Sequence, residues 1–239
     1  LEQTNRIIIK IGSALLFNET SGSLNKEWLN SLAEDVKYLR ENDKEVIIVS
    51  SGAIAMGAKD LDLDMKNMKM DMNQAVSAVG QIHLMGSFKS AFEKNEIKIS
   101  QILLTLDDTE QRRRSINARR TIDTLLKLGI VPVVNENDTI ATSEIRYGDN
   151  DRLASRVAQI TSADCLILLS NINGLYSADP STDEDVKLIN KVSEIDKDIE
   201  KMIGQSISDY GKGGMKTKIQ AAKTAMLSGC HLAITNGSI

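Results

Sequence analysis

The chain is poor in the residues that most chemistries lean on. Its 239 residues include two cysteines, two histidines, two prolines and a handful of aromatics: one Trp, four Tyr and three Phe. Two cysteines, Cys165 inside an apolar run and Cys230 near the end, cannot build a disulfide framework and indicate a reducing compartment. His83 and His231 cannot build a His-rich metal site. So few aromatics exclude a base-stacking platform for single-stranded nucleic acid and force an aliphatic core. Lys and Arg number 29 against 33 Asp and Glu, a net charge of −4 with a pI near 5.4. No global basic surface is available to follow a phosphate backbone, and nucleic acid is excluded as the main partner. No apolar stretch approaches the roughly 18 residues of a membrane span, and no charged-then-apolar leader opens the chain. The cytoplasm is the expected location. With no Pro-rich linker to divide it, the length suits one large domain or two small ones.

What is present is a rhythm. Short branched apolar runs at Ile7–Ile11, Val46–Val49, Ile97–Leu104, Ile130–Val134, Cys165–Leu169 and Leu232–Ile234 read as strands. Most are continuous rather than alternating, as strands covered on both faces are. Amphipathic stretches at Lys26–Glu41, Met72–Lys94, Ser115–Leu128, Arg152–Ile160 and Lys216–Leu227 read as helices between them. A βαβ alternation predicts an α/β fold, a mainly parallel open sheet with helices on both faces and ligands beyond the carboxyl ends of the strands. The Met-rich, charge-alternating segment Asp60–Asp71 and the polar, acidic segment Ser177–Asp198 are candidates for mobile insertions.

Four motifs carry polar chemistry at predicted strand ends. Lys10 sits inside an otherwise apolar strand and is followed by Gly12 and Ser13. An ammonium there requires an anion or the open end of the sheet, and an edge-strand lysine is the competing reading. Ser50, Ser51 and Gly52 follow Val49, where small residues admit a ligand to the backbone or simply make a tight turn. Asn135, Glu136, Asn137 and Asp138 follow a buried strand with more hydrogen-bonding capacity than a turn needs. Close behind, Asp149, Asn150 and Asp151 precede a helix that one cap would satisfy. Finally, Gly211-Lys-Gly-Gly-Met-Lys-Thr-Lys218 brings flexible backbone and positive charge to a helix start, the physics of phosphate binding. It fits neither the Walker A pattern nor the dinucleotide fingerprint, each of which needs a further glycine where Lys216 stands.

In order, Ile9-Lys-Ile-Gly-Ser-Ala14, Val49-Ser-Ser-Gly-Ala-Ile-Ala-Met-Gly57, Ala78-Val-Gly-Gln81, Gln101-Ile-Leu-Leu-Thr105, Asn135-Glu-Asn-Asp138, Gly148-Asp-Asn-Asp151, Gly174-Leu-Tyr176 with Asp179-Pro180, and Gly211 to Lys218 resemble the glutamate 5-kinases of the amino acid kinase family. The resemblance spans Lys10 to Gly237. It implies a three-layer α/β/α sandwich and one kinase domain over residues 1–239, with a glutamate-binding lobe to about 160, an ATP-binding lobe beyond, and no RNA-modification-type PUA domain within the chain. It implies ATP-dependent phosphorylation of the glutamate side-chain carboxylate, the first step of proline biosynthesis. Carried over, Lys10 and Lys218 flank the transferring phosphoryl group and Asp151 orients both. Ser50, Asp138 and Asn150 hold L-glutamate. Lys10, Gly12, Ser170, Asn171, Lys212, Gly213, Gly214, Met215, Lys216, Thr217 and Lys218 bind ATP, with Mg²⁺ on its phosphates and no protein side chain assigned to the metal.

The substrate carboxylate is already ionised, so no catalytic His is needed. Alignment and charge neutralisation carry such a transfer. Ser170-Asn171 stands where the family usually has Thr-Asp, which keeps a hydroxyl and removes a charge. Feedback inhibition by proline, with Asp60–Asp71 as the sensing loop, a homodimer or homotetramer, and functional coupling to glutamyl phosphate reductase are further implications. Sibling kinases for N-acetylglutamate, aspartate, carbamate or UMP are the rivals. A free α-ammonium needs an acid to receive it, and Asp138 provides one. A non-catalytic amino acid sensor is the rival from another class, against which the joint retention of Lys10, Asp151 and Lys218 argues.

Overall fold

A computed structural model of the chain describes residues 3–17, 23–66, 68–141, 150–178, 186–197, 199 and 214–238. Strands β1 (Arg6–Ile11), β2 (Glu45–Val49), β3 (Ile99–Leu104), β4 (Val131–Glu136), β5 (Cys165–Ser170) and a last strand, β8 (His231–Asn236), form one sheet. Its order is β3-β4-β2-β1-β5-β8, and every pairing in it is parallel. Pro132 lies inside β4, but the β2 ladder begins at Val133, so the proline withholds no donor from it.

The alternation of side chains along β1 divides the core. Ile7, Ile9 and Ile11 point into one apolar layer, built with Leu29, Leu32 and Val36 of α2 (Lys26–Glu41) and Leu84, Phe88 and Phe92 of the long helix over Met70–Glu93. Ile8 points into the other, with Ile122 from the helix Arg112–Lys127, Leu153 and Val157 from Asn150–Thr161, and Ala225 from Met215–Leu227. Helices thus cover both faces, the expected three-layer sandwich. By the same period of two, Lys10 lies on the Ile8 face.

The helices among the described residues include, in chain order, α1 (Ser13–Leu16), α2, α3 (Ala53–Asp60), α4 (Met70–Glu93), α5 (Leu106–Glu110), α6 (Arg112–Lys127), α7 (Asn150–Thr161) and α8 (Met215–Leu227). The short α1 and α5 escape a periodicity search because they hold barely one turn. α5 is instead fixed by a capping box between Thr105 and Asp108. Of the polar, acidic segment Ser177–Asp198, residues 177–178 and 186–197 are described. Leu188–Ile189 forms β7 against β6 (Leu175–Tyr176), and Val192 and Ile195 join Leu175, Ile199, Ile219 and Met215 in a small satellite core. Spaced apolar residues among many charges suffice for that.

The two sheet edges differ. At the amino ends of the strands Arg6 pairs with Glu45 and Asp123 and donates to the Thr161 carbonyl, while Asp164 accepts the Asn5 and Arg6 amides. That edge is closed by structural bonds. The carboxyl edge carries the polar motifs. Cys165 and Cys230 are free and buried, and burial pushes the Cys230 thiol up to about 12.

α3 and α4 meet through glycines. A Cβ on Gly80 would lie 1.8 Å from the Ala53 carbonyl oxygen, and one on Gly57 would lie 1.9 Å from that of Val76. Gly86, on the same helix, faces open space. Gly80→Ala is therefore expected to cost more than about 3 kcal/mol by forcing the helices apart. Gly86→Ala should add about 0.5–1 kcal/mol through helix propensity. Urea denaturation of the two variants checks both, and opposite signs are the expected result.

Candidate active site

Lys10, near the end of the central strand β1, reaches the first turn of α7. Its Nζ lies 2.6 Å from Asp151 Oδ1, and Lys218 Nζ, from the first turns of α8, lies 2.9 Å from Oδ2. Asp151 is 0% exposed and both lysines 6%. One carboxylate thus holds two ammonium groups, one on each oxygen. Thr217 Oγ1 sits 3.5 Å from Oδ2 and donates to the Gly214 carbonyl, helping to seat the α8 turn.

Burial by itself raises the Asp151 carboxyl. The charges of Lys10 and Lys218, and their hydrogen bonds, outweigh it and hold the group below the usual carboxylate value. The trio brings two lysine side chains to one buried carboxylate, an arrangement suited to receiving an anion. α8 adds to this. It starts at Gly214 with no side-chain cap, and Lys216 and Lys218 stand in its first turns, where the helix dipole already favours negative charge.

A second polar group adjoins the trio. Asn150 Nδ2 donates to the Ser50 carbonyl and to Asn135 Oδ1, the latter at 2.9 Å. Asn135 Nδ2 in turn donates to Gln81 Oε1 at 2.8 Å. Asp138 accepts from Ser77 Oγ at 2.6 Å. Its carboxyl is pushed up by burial, which the Ser77 bond only partly offsets. Ser51 Oγ donates to the Ile11 carbonyl, tying the β2 and β1 ends together. Gly52 adopts φ +98°, and a Cβ there would meet the Phe17 ring at 2.4 Å, so this turn demands glycine.

The structure therefore brings Lys10, Lys218 and Asp151 into contact and joins Ser50 to Asn150 beside them. Gly12, whose amide donates to the Leu169 carbonyl, and Ser170 lie at the same carboxyl edge on β1 and β5, with Asn171 exposed one residue on. Gly214, Met215, Lys216 and Thr217 open α8. Lys212 and Gly213 lie outside the described residues, as do Gly148, Asp149, Asp179 and Pro180. Sequence reasoning did not single out Ser77 or assign a role to Gln81. The available signal was two polar residues four apart in an otherwise apolar helical stripe.

Residues 5–236 match the amino acid kinase family. The chain belongs to that family. It is 58% identical over its full length to a glutamate 5-kinase of Pelagibacter ubique (strain HTCC1062), and 52% identical to that of Ruegeria sp. (strain TM1040). It spans 65% of the length of each of these curated relatives. Among solved structures, carbamate kinase from Giardia lamblia bound to AMP-PNP matches all of this chain and 94% of its own, with a TM-score of 0.68 at 15% identity. Isopentenyl phosphate kinase from T. acidophilum, in its product complex, matches 98% of this chain and 92% of its own, with a TM-score of 0.65 at 15% identity. These likenesses establish the fold.

Two stability outcomes follow. The folded Asp151 carboxyl titrates below its unfolded value, so its stabilisation is complete above the ordinary carboxylate range and disappears as pH falls through the folded value. Asp151→Asn leaves two buried ammonium groups side by side and is expected to cost about 3 kcal/mol near neutral pH. In denaturation curves the gap to the unmodified chain should narrow below about pH 4. Asp138 has the opposite sign: its folded value is raised, so the ionised group weakens the fold as pH rises through that value. Asp138→Asn should raise Tm near neutral pH by about 1–3 °C, as read by calorimetry.

Proposed function

We propose that this chain transfers the γ-phosphoryl group of ATP to the side-chain carboxylate of L-glutamate, giving γ-glutamyl phosphate and ADP, the first step of proline biosynthesis. The observation that carries this reading is the buried Lys10–Asp151–Lys218 trio beside the Ser50–Asn150 pair and Asp138. The identity to glutamate 5-kinases across the whole chain supports the choice of acceptor. In this proposal residues 1–160 form the glutamate lobe and 161–239 the ATP lobe.

In the reaction, a glutamate carboxylate oxygen bonds to the γ-phosphorus as the bond to the bridging oxygen breaks, and the electron pair leaves with ADP. No proton has to be removed from the nucleophile. Lys10 and Lys218 approach the transferring group from β1 and α8 and neutralise charge spread over its oxygens. Asp151 keeps the two ammonium groups apart and aimed. Mg²⁺, held on the ATP phosphates, supplies further charge neutralisation when bound. Gly12, Ser170, Asn171 and the segment Lys212–Lys218 hold the nucleotide, their glycines admitting phosphate to the backbone.

Asp138, Asn150 and Ser50 hold the amino-acid end. Burial makes Asp138 costly to ionise alone, and a ligand ammonium removes that cost, which favours a free α-amine over an acetylated one. We further propose a cytoplasmic homodimer or homotetramer, functional coupling to glutamyl phosphate reductase, and inhibition by proline sensed at Asp60–Asp71. That segment presents Leu61, Leu63 and Met65 to solvent between α3 and α4.

Acyl phosphate trapped as hydroxamate, with ATP and Mg²⁺, tests the reading. Glutamate should be turned over, and N-acetylglutamate and aspartate should not. Lys10→Ala and Lys218→Ala should each lower kcat about 10²–10³-fold while leaving the glutamate KM within about threefold. Unchanged kcat in either variant would remove its assigned role. Shortening the Asp60–Asp71 segment should relieve proline inhibition of the same assay.

A further inference from the structure

The face of α4 that meets the end of β4 is not apolar. Gln74, Ser77 and Gln81 occupy one face at spacings of three and four, and each grips a different station of the segment from Asn135 to Ala141. Gln81 Oε1 accepts from Asn135 Nδ2 at 2.8 Å, Ser77 Oγ donates to Asp138 Oδ2 at 2.6 Å, and Gln74 Nε2 donates to the Ala141 carbonyl at 3.0 Å. Along the helix one turn corresponds to about three residues of the segment, so α4 acts as a ruler laid against it. Ser77 and Gln81 are buried.

The bonds at the Gln81 end have a fixed direction. The Glu136 backbone N–H can only donate, and it donates to Asn135 Oδ1 at 2.9 Å. The Ser50 carbonyl can only accept, and it accepts from Asn150 Nδ2. Between these anchors each amide has one consistent orientation: Asn135 turns its oxygen to Glu136 and Asn150 and its nitrogen to Gln81. Reversing Asn135 would set N–H against N–H at Glu136 and at Asn150. Asn150 is therefore obliged to use its nitrogen inside the protein and to leave its oxygen. Asn150 Oδ1 is buried and has no hydrogen-bond partner among the described residues. A buried acceptor left so costs about 1–3 kcal/mol until a donor arrives.

Resting on the glutamate reading above, we infer that Gln81 and Ser77 are positioning residues. Through Asn135 and Asp138 they hold two acceptor groups, Asn150 Oδ1 and the Asp138 carboxylate, for the ammonium group of the amino-acid substrate. Neither touches the reacting atoms. They set affinity for the acceptor substrate and leave the phosphoryl-transfer step and the nucleotide alone.

The test pairs variants that keep and remove the bond. Gln81→Leu keeps the bulk and removes the acceptor, whereas Gln81→Glu keeps an acceptor for Asn135. Ser77→Ala removes the hydroxyl, whereas Ser77→Thr retains it. Gln81→Leu and Ser77→Ala should raise the glutamate KM about 10–30-fold, with kcat and the ATP KM within about twofold. Gln81→Glu and Ser77→Thr should return the glutamate KM to within about threefold of the unmodified chain. An unchanged glutamate KM in Gln81→Leu and Ser77→Ala, a parallel rise in both KM values, or failure of the conservative variants to rescue would overturn the inference. Should the unmodified chain not phosphorylate glutamate, the functional reading fails by itself. The relay is then read from the ¹⁵N side-chain amide resonances of Asn135 and Asn150 in the ligand-free protein. Their displacement in Gln81→Leu and return in Gln81→Glu support the relay, and resonances that stay put in Gln81→Leu refute it.

Discussion

One carboxylate organises this molecule. Asp151 is removed from water, carries a charge, and is tolerable there because ammonium groups from two different parts of the chain come to it. Those groups stand on the central strand and on the last helix, more than 200 residues apart in sequence. The requirement that they converge ties α8 and α7 to β1 and draws the second part of the chain onto the first. The parallel sheet makes the convergence possible, because it delivers the ends of β1, β2, β4 and β5 to one edge while the other edge is closed by Arg6 and Asp164.

Around that centre the elements divide the work by charge. The β1–α7–α8 side is positive and suits an anion, with a helix start that repeats the preference. The β2–β4–α4 side, with Asn150 reaching to it from the start of α7, offers acceptors: a raised carboxyl at Asp138 and an amide oxygen at Asn150. On the function proposed above, a zwitterionic acceptor substrate and a polyanionic donor would fit this polarity in one orientation. On the same proposal, specificity on the acceptor side would depend on the direction of a short chain of amides, because a wrong ligand leaves a buried group unpaired, which discriminates more sharply than a missing contact.

The βαβ rhythm, the continuous strands and the polar clusters at strand ends were legible in the sequence because each rests on local pattern. α2 begins and ends where its periodicity does, and Lys10, inside an apolar run, announced a partner without naming it. The resemblance to a known family supplied the pairing with Asp151 and Lys218, which spacing alone could not. What stayed hidden was long-range. Nothing local says that Ser77 and Gln81 face the loop after β4, since in a helical stripe they look like interruptions of an apolar face. Gly57 and Gly80 stand in motifs that carry the resemblance, and the close approach of α3 and α4 gives their physical reason. The strand at Leu188–Ile189 was masked by the charges around it.

The position of Lys10 also fixes one side of the trio. β1 is hydrogen-bonded on both sides, to β2 and to β5, and Lys10 sits within both ladders. It cannot be displaced without tearing the middle of the sheet. Lys218 belongs to α8, which packs Ala225 into the core layer of Ile8 and Ile219 and Met215 into the satellite core. The Lys10–Asp151 pair is thereby anchored in the middle of the sheet, and the Lys218–Asp151 pair ties α8 to that anchor.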